Sequence, residues 1–371
     1  MRILHVTDCF LPRLGGIELQ VDELARAQRS AGHEVAVATA TPGAAVPALD
    51  AAAPFPVDRL VAPMPWELPV GRSLGPVLAD RKPDVVHVHA GAVSPFAWRA
   101  VRRATRSGLP VVLTVHSLWG PVSRRAYRAL FSAWPDTLVV TAVSEAAALP
   151  IRAVAARLPV HVVANGIDLA QWHGEPARPT LLDDHRLHVV AVGRLAPRKE
   201  PMNLLRVLRE VESHVPIRAT IVGDGPARGR MERYLRRHRM GGWVHLTGRL
   251  HRSAIRSVLA GADVFLAPAA KESFGLAALE ARLAGLPVVA QAGSGVADFV
   301  EAGRAGLLGG SFPELTGALL RLARDPALRY RIAAHNRTTE PAHCTWPAVL
   351  AAFESCYEQA AGQLRTDLAH L

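Results

Sequence analysis

The chain alternates short apolar runs with stretches of helical period. Residues 3–6, 35–40, 84–89 and 111–116 are rich in Val, Leu and Ala without polar alternation, which predicts strands buried on both faces, and 137–145 reads as a further strand and helix start. Between the first two runs, Ile17, Val21, Leu24 and Ala25 share one stripe of a helix over 17–31 that Gly32 ends. After 185 the alternation restarts. Residues 187–192, 218–222, 243–246, 265–268 and 288–290 read as strands, with a helix over about 202–212. A further helix starts at Gly275, carries Leu276, Leu279 and Leu283 at helical spacing, and stops at Gly285 and Pro287. Because parallel neighbours need a crossover helix, each half is expected to be α/β, a doubly wound parallel sheet. The Pro- and Ala-rich stretch 41–69 reads as loops and short edges. Residues 169–184, with Gly174, Pro176 and Pro179, read as a linker.

Composition changes the picture in three ways. A chain of 371 residues, half of them hydrophobic, can bury two cores without a staple. Cys9, Cys344 and Cys356 are odd in number and lack CxxC or zinc spacing, which points to a reducing compartment, with the cytoplasm as the expectation. Met1-Arg2 runs straight into an apolar strand, and no apolar run approaches the roughly eighteen residues of a membrane span, so neither secretion nor a transmembrane segment is expected. The net charge of +11 attracts an anion, whether nucleotide, lipid headgroup, acidic glycan or nucleic acid.

Candidate chemistry concentrates in 265–308. The helix start at Gly275 offers free N–H groups and a dipole suited to a diphosphate. Glu280 lies about 9 Å along that helix from the turn holding Glu272, a separation that suits two ends of one ligand, each carboxylate taking paired sugar hydroxyls. Gly15-Gly16 form a second helix start after the first strand, although such a pair also marks an ordinary turn. Arg194 and Lys199 follow the strand 187–192. His87 and His89 share a strand face, with His87 read as a hydrogen-bonded core histidine, and His116 ends another strand, where open α/β sheets place ligands.

The run Glu272-Ser-Phe-Gly-Leu-Ala-Ala-Leu-Glu280-Ala, followed by Gly285-Leu-Pro-Val-Val-Ala and a Gly/Ser loop, resembles the donor-site signature of the retaining glycosyltransferases of the glycogen-synthase-like, phosphatidylinositol mannosyltransferase-like family, glycosyltransferase family four. The resemblance implies a GT-B fold, with two Rossmann-like domains facing across a cleft. Residues 1–168 would form the acceptor side, 185–345 the nucleotide-sugar side, and 346–371 a helix crossing back. It implies catalytic roles for His116, in Leu-Thr-Val-His-Ser, and Glu272; a diphosphate loop at Gly15 and Gly16; a diphosphate clamp of Arg194 and Lys199; and donor contacts at Phe274, Gly275, Leu276 and Glu280. The segment 162–168 resembles the family's loop ending the first domain. Arg198 stands where relatives often carry an acid, and Asp298 where Glu is commoner.

The expected reaction moves a hexose from a nucleotide-diphosphate sugar with retention of configuration. GDP-mannose is the first expectation, and UDP-sugars stay open. No Asp-x-Asp pair is present, so basic residues and helix ends are expected to balance the leaving diphosphate, with no metal and no cofactor besides the donor. No residue stands out as a covalent nucleophile. From 85 to 135 there is no acidic residue, yet Arg99, Arg102, Arg103, Arg106, Arg124, Arg125 and Arg128 interleave with Trp98, Trp119, Tyr127 and Trp134. That composition predicts peripheral association with the inner face of the plasma membrane and an anionic or lipid-linked acceptor. The alternatives are a nucleotide-sugar 2-epimerase, against which the Glu272/Glu280 context speaks, and a non-enzymatic basic binding protein. The latter shows no nucleic-acid recognition module, so no nucleic-acid partner is expected.

Overall fold

The computed structural model describes residues 1–13, 15–43, 50, 52–62, 71–172 and 186–369. They form two compact units, Met1–Ile167 with Ala342–Leu371, and Asp168–Pro341. Most of the expected linker, including Gly174, Pro176 and Pro179, lies outside the described residues, as do Leu14, His370 and parts of 41–69.

The first unit holds β1 (Arg2–Thr7), β2 (Glu34–Thr39), β3 (Val57–Arg59), β4 (Val85–Ala90), β5 (Val111–Val115), β6 (Val139–Ala142) and β7 (Val160–Val162). They are ordered β3-β2-β1-β4-β5-β6-β7, and the pairings are parallel. The chain works outward from β1 in both directions, as a doubly wound sheet requires. Its five inner strands are buried along nearly their whole length, which explains their lack of polar alternation.

On one sheet face Ile3, Val85, Val112, Val139 and Val163 pack against Leu24 of the helix Gly16–Ser30 and against Val349, Phe353, Cys356, Tyr357 and Ala360 of the helix Trp346–Ala369. The last helix thus crosses back to complete the core of the first unit. On the same face, farther along the strands, the side chains turn polar. His5 pairs with His87 across β1 and β4, His89 with Thr114 across β4 and β5, and Thr114 with Thr141 across β5 and β6.

The helix Pro95–Arg106 takes no cap from its own Ser94 side chain. Instead Asp8, at the carboxyl end of β1, accepts from the Phe96 and Ala97 N–H groups at 3.0 and 3.3 Å. This helix and its successor, Pro121–Ala133, carry the basic stretch, and here the expectation of interfacial aromatics is corrected. Trp119, Tyr127 and Trp134 are buried. Trp119 stacks on Tyr127 with centroids 4.0 Å apart, Trp98 meets Tyr127 edge-on at 5.4 Å, and Trp134 meets Phe131 edge-on at 5.3 Å. The Tyr127 hydroxyl donates to the Gly91 carbonyl at 2.7 Å. Rings of this size stabilise most when fully desolvated against one another, so they serve the core. The arginines of both helices remain exposed.

The second unit holds β8 (Leu187–Val192), β9 (Ile217–Val222), β10 (Val244–Gly248), β11 (Val264–Ala267), β12 (Val288–Gln291) and β13 (Gly306–Gly309), in the order β10-β9-β8-β11-β12-β13, again parallel. Two of its helices start where a side chain accepts from a free backbone N–H. Ser311 and Glu314 form a reciprocal cap at the head of Phe312–Arg324, and Asp325 accepts from the Leu328 N–H at 2.8 Å at the head of Pro326–Thr338.

Candidate functional site

The expected donor residues of the second unit all fall in loops or helices that leave the carboxyl ends of its strands. Arg194, Arg198 and Lys199 follow β8, the last two inside a short 3-10 turn, Pro197–Lys199. Backbone bonds lock this loop to the Gly223-Asp224-Gly225 turn after β9. Gly193 donates to Val222 at 2.9 Å, Leu195 to Asp224 at 3.0 Å, and Ala227 to Leu195 at 2.9 Å. Gly223 and Gly225 have φ of +139° and +156°. A Cβ on Gly223 would land on the Gly193 carbonyl oxygen, and one on Gly225 would come within 2.7 Å of that of Leu195. Two glycines are therefore what allow the basic loop to lie close against the turn. Arg194 is exposed, while Lys199 is half-buried and donates to Glu272 Oε2.

Glu272 itself belongs to the loop between β11 and the helix Leu276–Leu283. Gly275 caps that helix with φ of +100°, and a Cβ there would sit 2.6 Å from Val296 Cγ2. The loop after β12 closes on it from the other side. Gly295 donates to the Glu272 carbonyl at 2.9 Å, and the buried Phe274 ring lies 5.2 Å from Phe299. Leu276, partly exposed, opens the helix, and Asp298 ends a 3-10 turn, Gly295–Asp298. One turn and a half along the helix, a Glu280 carboxylate oxygen is 3.4 Å from the Arg252 guanidinium, which also lies 5.7 Å from the centre of the Trp172 ring. The arrangement brings a helix start with free amides, two carboxylates and three basic side chains into one unit. It suits a ligand with a diphosphate in the middle and hydroxyl-bearing rings at its ends.

In the first unit Gly15 caps the helix Gly16–Ser30 in an extended conformation open to any residue. A Cβ there would meet only the far end of the Glu18 side chain, whose buried carboxylate folds back toward Gly15 and pairs with Arg13 at 3.3 Å. His116, immediately after β5, is partly exposed, and its Nε2 lies 3.0 Å from His89 Nδ1. Beyond it His89 Nε2 lies 2.9 Å from His5 Nδ1, and His5 Nε2 2.7 Å from Gln28 Oε1. Burial depresses all these imidazoles. His5 and His116 fall to about 4, and His87 and His89 well below their usual range. A cavity of about 10 Å³, about the room of one water, lies beside His89 and His116.

His87 is the buried, hydrogen-bonded histidine expected of it. In the sequence His89 stands only as a strand-face neighbour of His87, and His5, Gln28 and Tyr357 are given no role. The period-two spacing of His87 and His89 was the available signal, but it says nothing of Gln28 and Tyr357, which arrive from two helices far apart in sequence.

Residues 176–339 match the family Glycosyl transferases group 1, and residues 14–171 match Glycosyltransferase Family 4. The chain is 31% identical to the GDP-mannose-dependent alpha-mannosyltransferase of Mycolicibacterium smegmatis, over 98% of each chain. It is 27% identical to the glycogen synthase of Mycobacterium tuberculosis, over 96% of this chain and 94% of that one. In fold it resembles the Anabaena protein HepE, crystallised in complex with UDP, with a TM-score of 0.78 and 20% identity over 96% of this chain and 99% of that one. The chain belongs to the family-four glycosyltransferases.

The family-four fold is GT-B, and the activity is glycosyl transfer from a nucleotide sugar. The matches favour neither the 2-epimerase nor the nucleic-acid-binding alternative. Among the described residues no helix is long and apolar enough to cross a membrane.

Proposed function

We propose that the chain transfers a mannosyl unit from GDP-mannose, with retention of configuration and without a metal, to an anionic lipid-linked acceptor at a membrane surface. The observation that carries this reading is the second unit's constellation, in which Lys199 holds Glu272 beside the Gly275 helix start and Arg194 stands exposed on the locked loop. Lys199, Arg194 and the helix amides take up charge as the diphosphate leaves, the work a divalent cation performs elsewhere. The departing phosphate then removes the acceptor's proton on the same face of the sugar, which requires no covalent nucleophile from the protein. Glu280 takes the ribose hydroxyls and Glu272 the hexose, and His116 keeps the catalytic role that its motif implies. The likeness to a GDP-mannose-dependent enzyme supports the donor. The exposed arginines of Pro95–Arg106 and Pro121–Ala133, with Val93 and Val122 exposed beside them, support an anionic, partly apolar acceptor surface.

A thermal-shift series with GDP, UDP, GDP-mannose, UDP-glucose and UDP-N-acetylglucosamine tests the donor. GDP-mannose at a hundred times its Kd stabilises by about 2.7 kcal/mol. A shift with UDP-sugars alone would replace the donor, and no shift with any would remove the reading. The anomeric configuration of the product, read by NMR, tests retention.

A further inference from the structure

A single hydrogen-bonded chain of side chains runs through the first unit from His116 to Thr141. From His116 it passes to His89 at 3.0 Å, to His5 at 2.9 Å, and to Gln28 at 2.7 Å. It continues from Gln28 Nε2 to the Tyr357 hydroxyl at 2.8 Å, to His87 Nδ1 at 2.8 Å, from His87 Nε2 to Thr114 at 2.6 Å, and to Thr141 at 2.6 Å. A neutral imidazole has one N–H and one lone pair, so a partner at one nitrogen dictates the role of the other.

The Gln28 amide sets the sense. Its oxygen accepts from His5 Nε2–H, which leaves His5 Nδ1 to accept from His89 Nε2–H, and His89 Nδ1 to accept from His116 Nε2–H. In the other direction its nitrogen donates to Tyr357, whose O–H goes to His87 Nδ1. His87 then donates through Nε2 to Thr114, and Thr114 donates to Thr141. Every link is satisfied in one sense. Turning the Gln28 amide over would reverse every bond together.

His5, His87 and His89 also bring ring nitrogens within 4.8 Å of one another, close enough for a metal. Both nitrogens of each ring already have a hydrogen-bond partner, so no lone pairs converge on a common centre. The cluster is built to order protons.

We propose that this chain, oriented at Gln28 and closed by Tyr357, fixes His116 as the tautomer with its proton on Nε2, so that its Nδ1 is presented to substrate as a hydrogen-bond acceptor. The inference rests on the reading that gives His116 a catalytic role in the transfer. It deepens that reading, because an accepting Nδ1 selects a sugar hydroxyl that donates and supplies neither a proton nor a positive charge to the leaving diphosphate. Gln28 and Tyr357 act through His116 and are positioning residues.

The test uses the full chain labelled with 15N-histidine. Long-range 1H–15N spectra distinguish the two neutral tautomers, and His116→Asn assigns the signal. The wild type is expected to show only the Nε2–H form of His116 at neutral pH. Tyr357→Phe removes one hydroxyl and keeps the ring, and Gln28→Met serves if that variant fails to fold. Either variant is expected to turn His116 into a tautomer mixture and to lower kcat/KM for the donor by the fraction lost, about twofold for an even mixture, with acceptor KM unchanged. An Nδ1–H tautomer in the wild type, or an unchanged single tautomer in the folded variants, overturns the proposal. A shifted tautomer with unchanged transfer leaves the chain standing and removes His116 from the reaction.

Discussion

The Arg252 guanidinium lies 3.4 Å from a Glu280 carboxylate oxygen while its other flank lies over the Trp172 ring, 5.7 Å from the centroid. Glu280 is thereby held on a helix face by a side chain that keeps an aromatic partner if the carboxylate is removed. Glu280→Ala and Lys199→Ala are each expected to lower kcat/KM by about 1.5–3 kcal/mol, roughly ten- to a hundredfold, through loss of a charge-assisted bond. Neither changes core volume, so the melting temperature stays near the wild-type value. Full transfer activity in either variant would show that the residue does not touch the donor.

Gly223→Ala tests the support beneath the basic loop. Its Cβ would occupy the position of the Gly193 carbonyl at a φ of +139°, so the loop carrying Arg194 and Lys199 must move. We expect a destabilisation of about 1–3 kcal/mol, visible in urea unfolding, together with a raised KM for the donor. Loss of stability with an unaltered donor KM would uncouple the loop from binding.

With Arg194, Lys199 and the Gly275 helix start available to the diphosphate, EDTA treatment is expected to leave the transfer rate nearly unchanged. A rate restored only by added magnesium or manganese would contradict this.

The histidines make stability depend on pH in one direction. Unfolded, each binds a proton near pH 6.5. Folded, His5 and His116 do so only near pH 4, and His87 and His89 only well below their usual range. Above about pH 6.5 neither state is protonated and the contribution is constant. As pH falls toward 4 the unfolded state binds protons that the folded state refuses, so stability drops by up to about 1.4 kcal/mol per pH unit per histidine. Asp8, which burial pushes up to about 7, works in the opposite sense over the same range, with one proton against several. Urea unfolding at pH 7.5, 6 and 5 should show a falling free energy; a flat profile would mean that the buried imidazoles are charged.

Because the rings of Trp119, Tyr127 and Trp134 are interior, the proposed lipid binding by the first unit rests mainly on its exposed arginines. Sedimentation with anionic vesicles at low salt is expected to recover the protein, and about 1 M salt, where the screening length is about 3 Å, should release most of it. Reversing Arg124, Arg125 and Arg128 to Glu should weaken binding by at least about 1 kcal/mol per residue. Equal recovery on neutral and anionic vesicles would remove the membrane surface and leave a soluble acceptor.

The doubly wound sheets and the Glu272–Glu280 helix were legible in sequence because each is a local pattern, an unbroken Val-rich run or Leu276, Leu279 and Leu283 at helical spacing. The burial of the aromatics is carried by period rather than by composition. Ser123, Tyr127 and Phe131 recur every fourth residue, which marks the inner stripe of their helix, while the arginines occupy the rest. The hydrogen-bonded chain was out of reach for a different reason. Tyr357 and Gln28 are 329 residues apart, and no local period links them. Likewise the role of Gly223 depends on the carbonyl of Gly193 in another loop, which no property of the Gly-Asp-Gly turn announces.

The helix Trp346–Ala369 belongs to the first unit, although the whole of the second unit precedes it along the chain. On the ribosome, therefore, the strands from β8 to β13 emerge and can bury their side chains while the earlier sheet still lacks one wall. Until Val349, Phe353 and Tyr357 leave the exit tunnel, the face bearing Ile3, Val85, Val112 and Val139 has water where that helix will lie. The half that is synthesised first is the half that matures last, and in the interval it is a natural client for chaperones that hold nascent apolar surface.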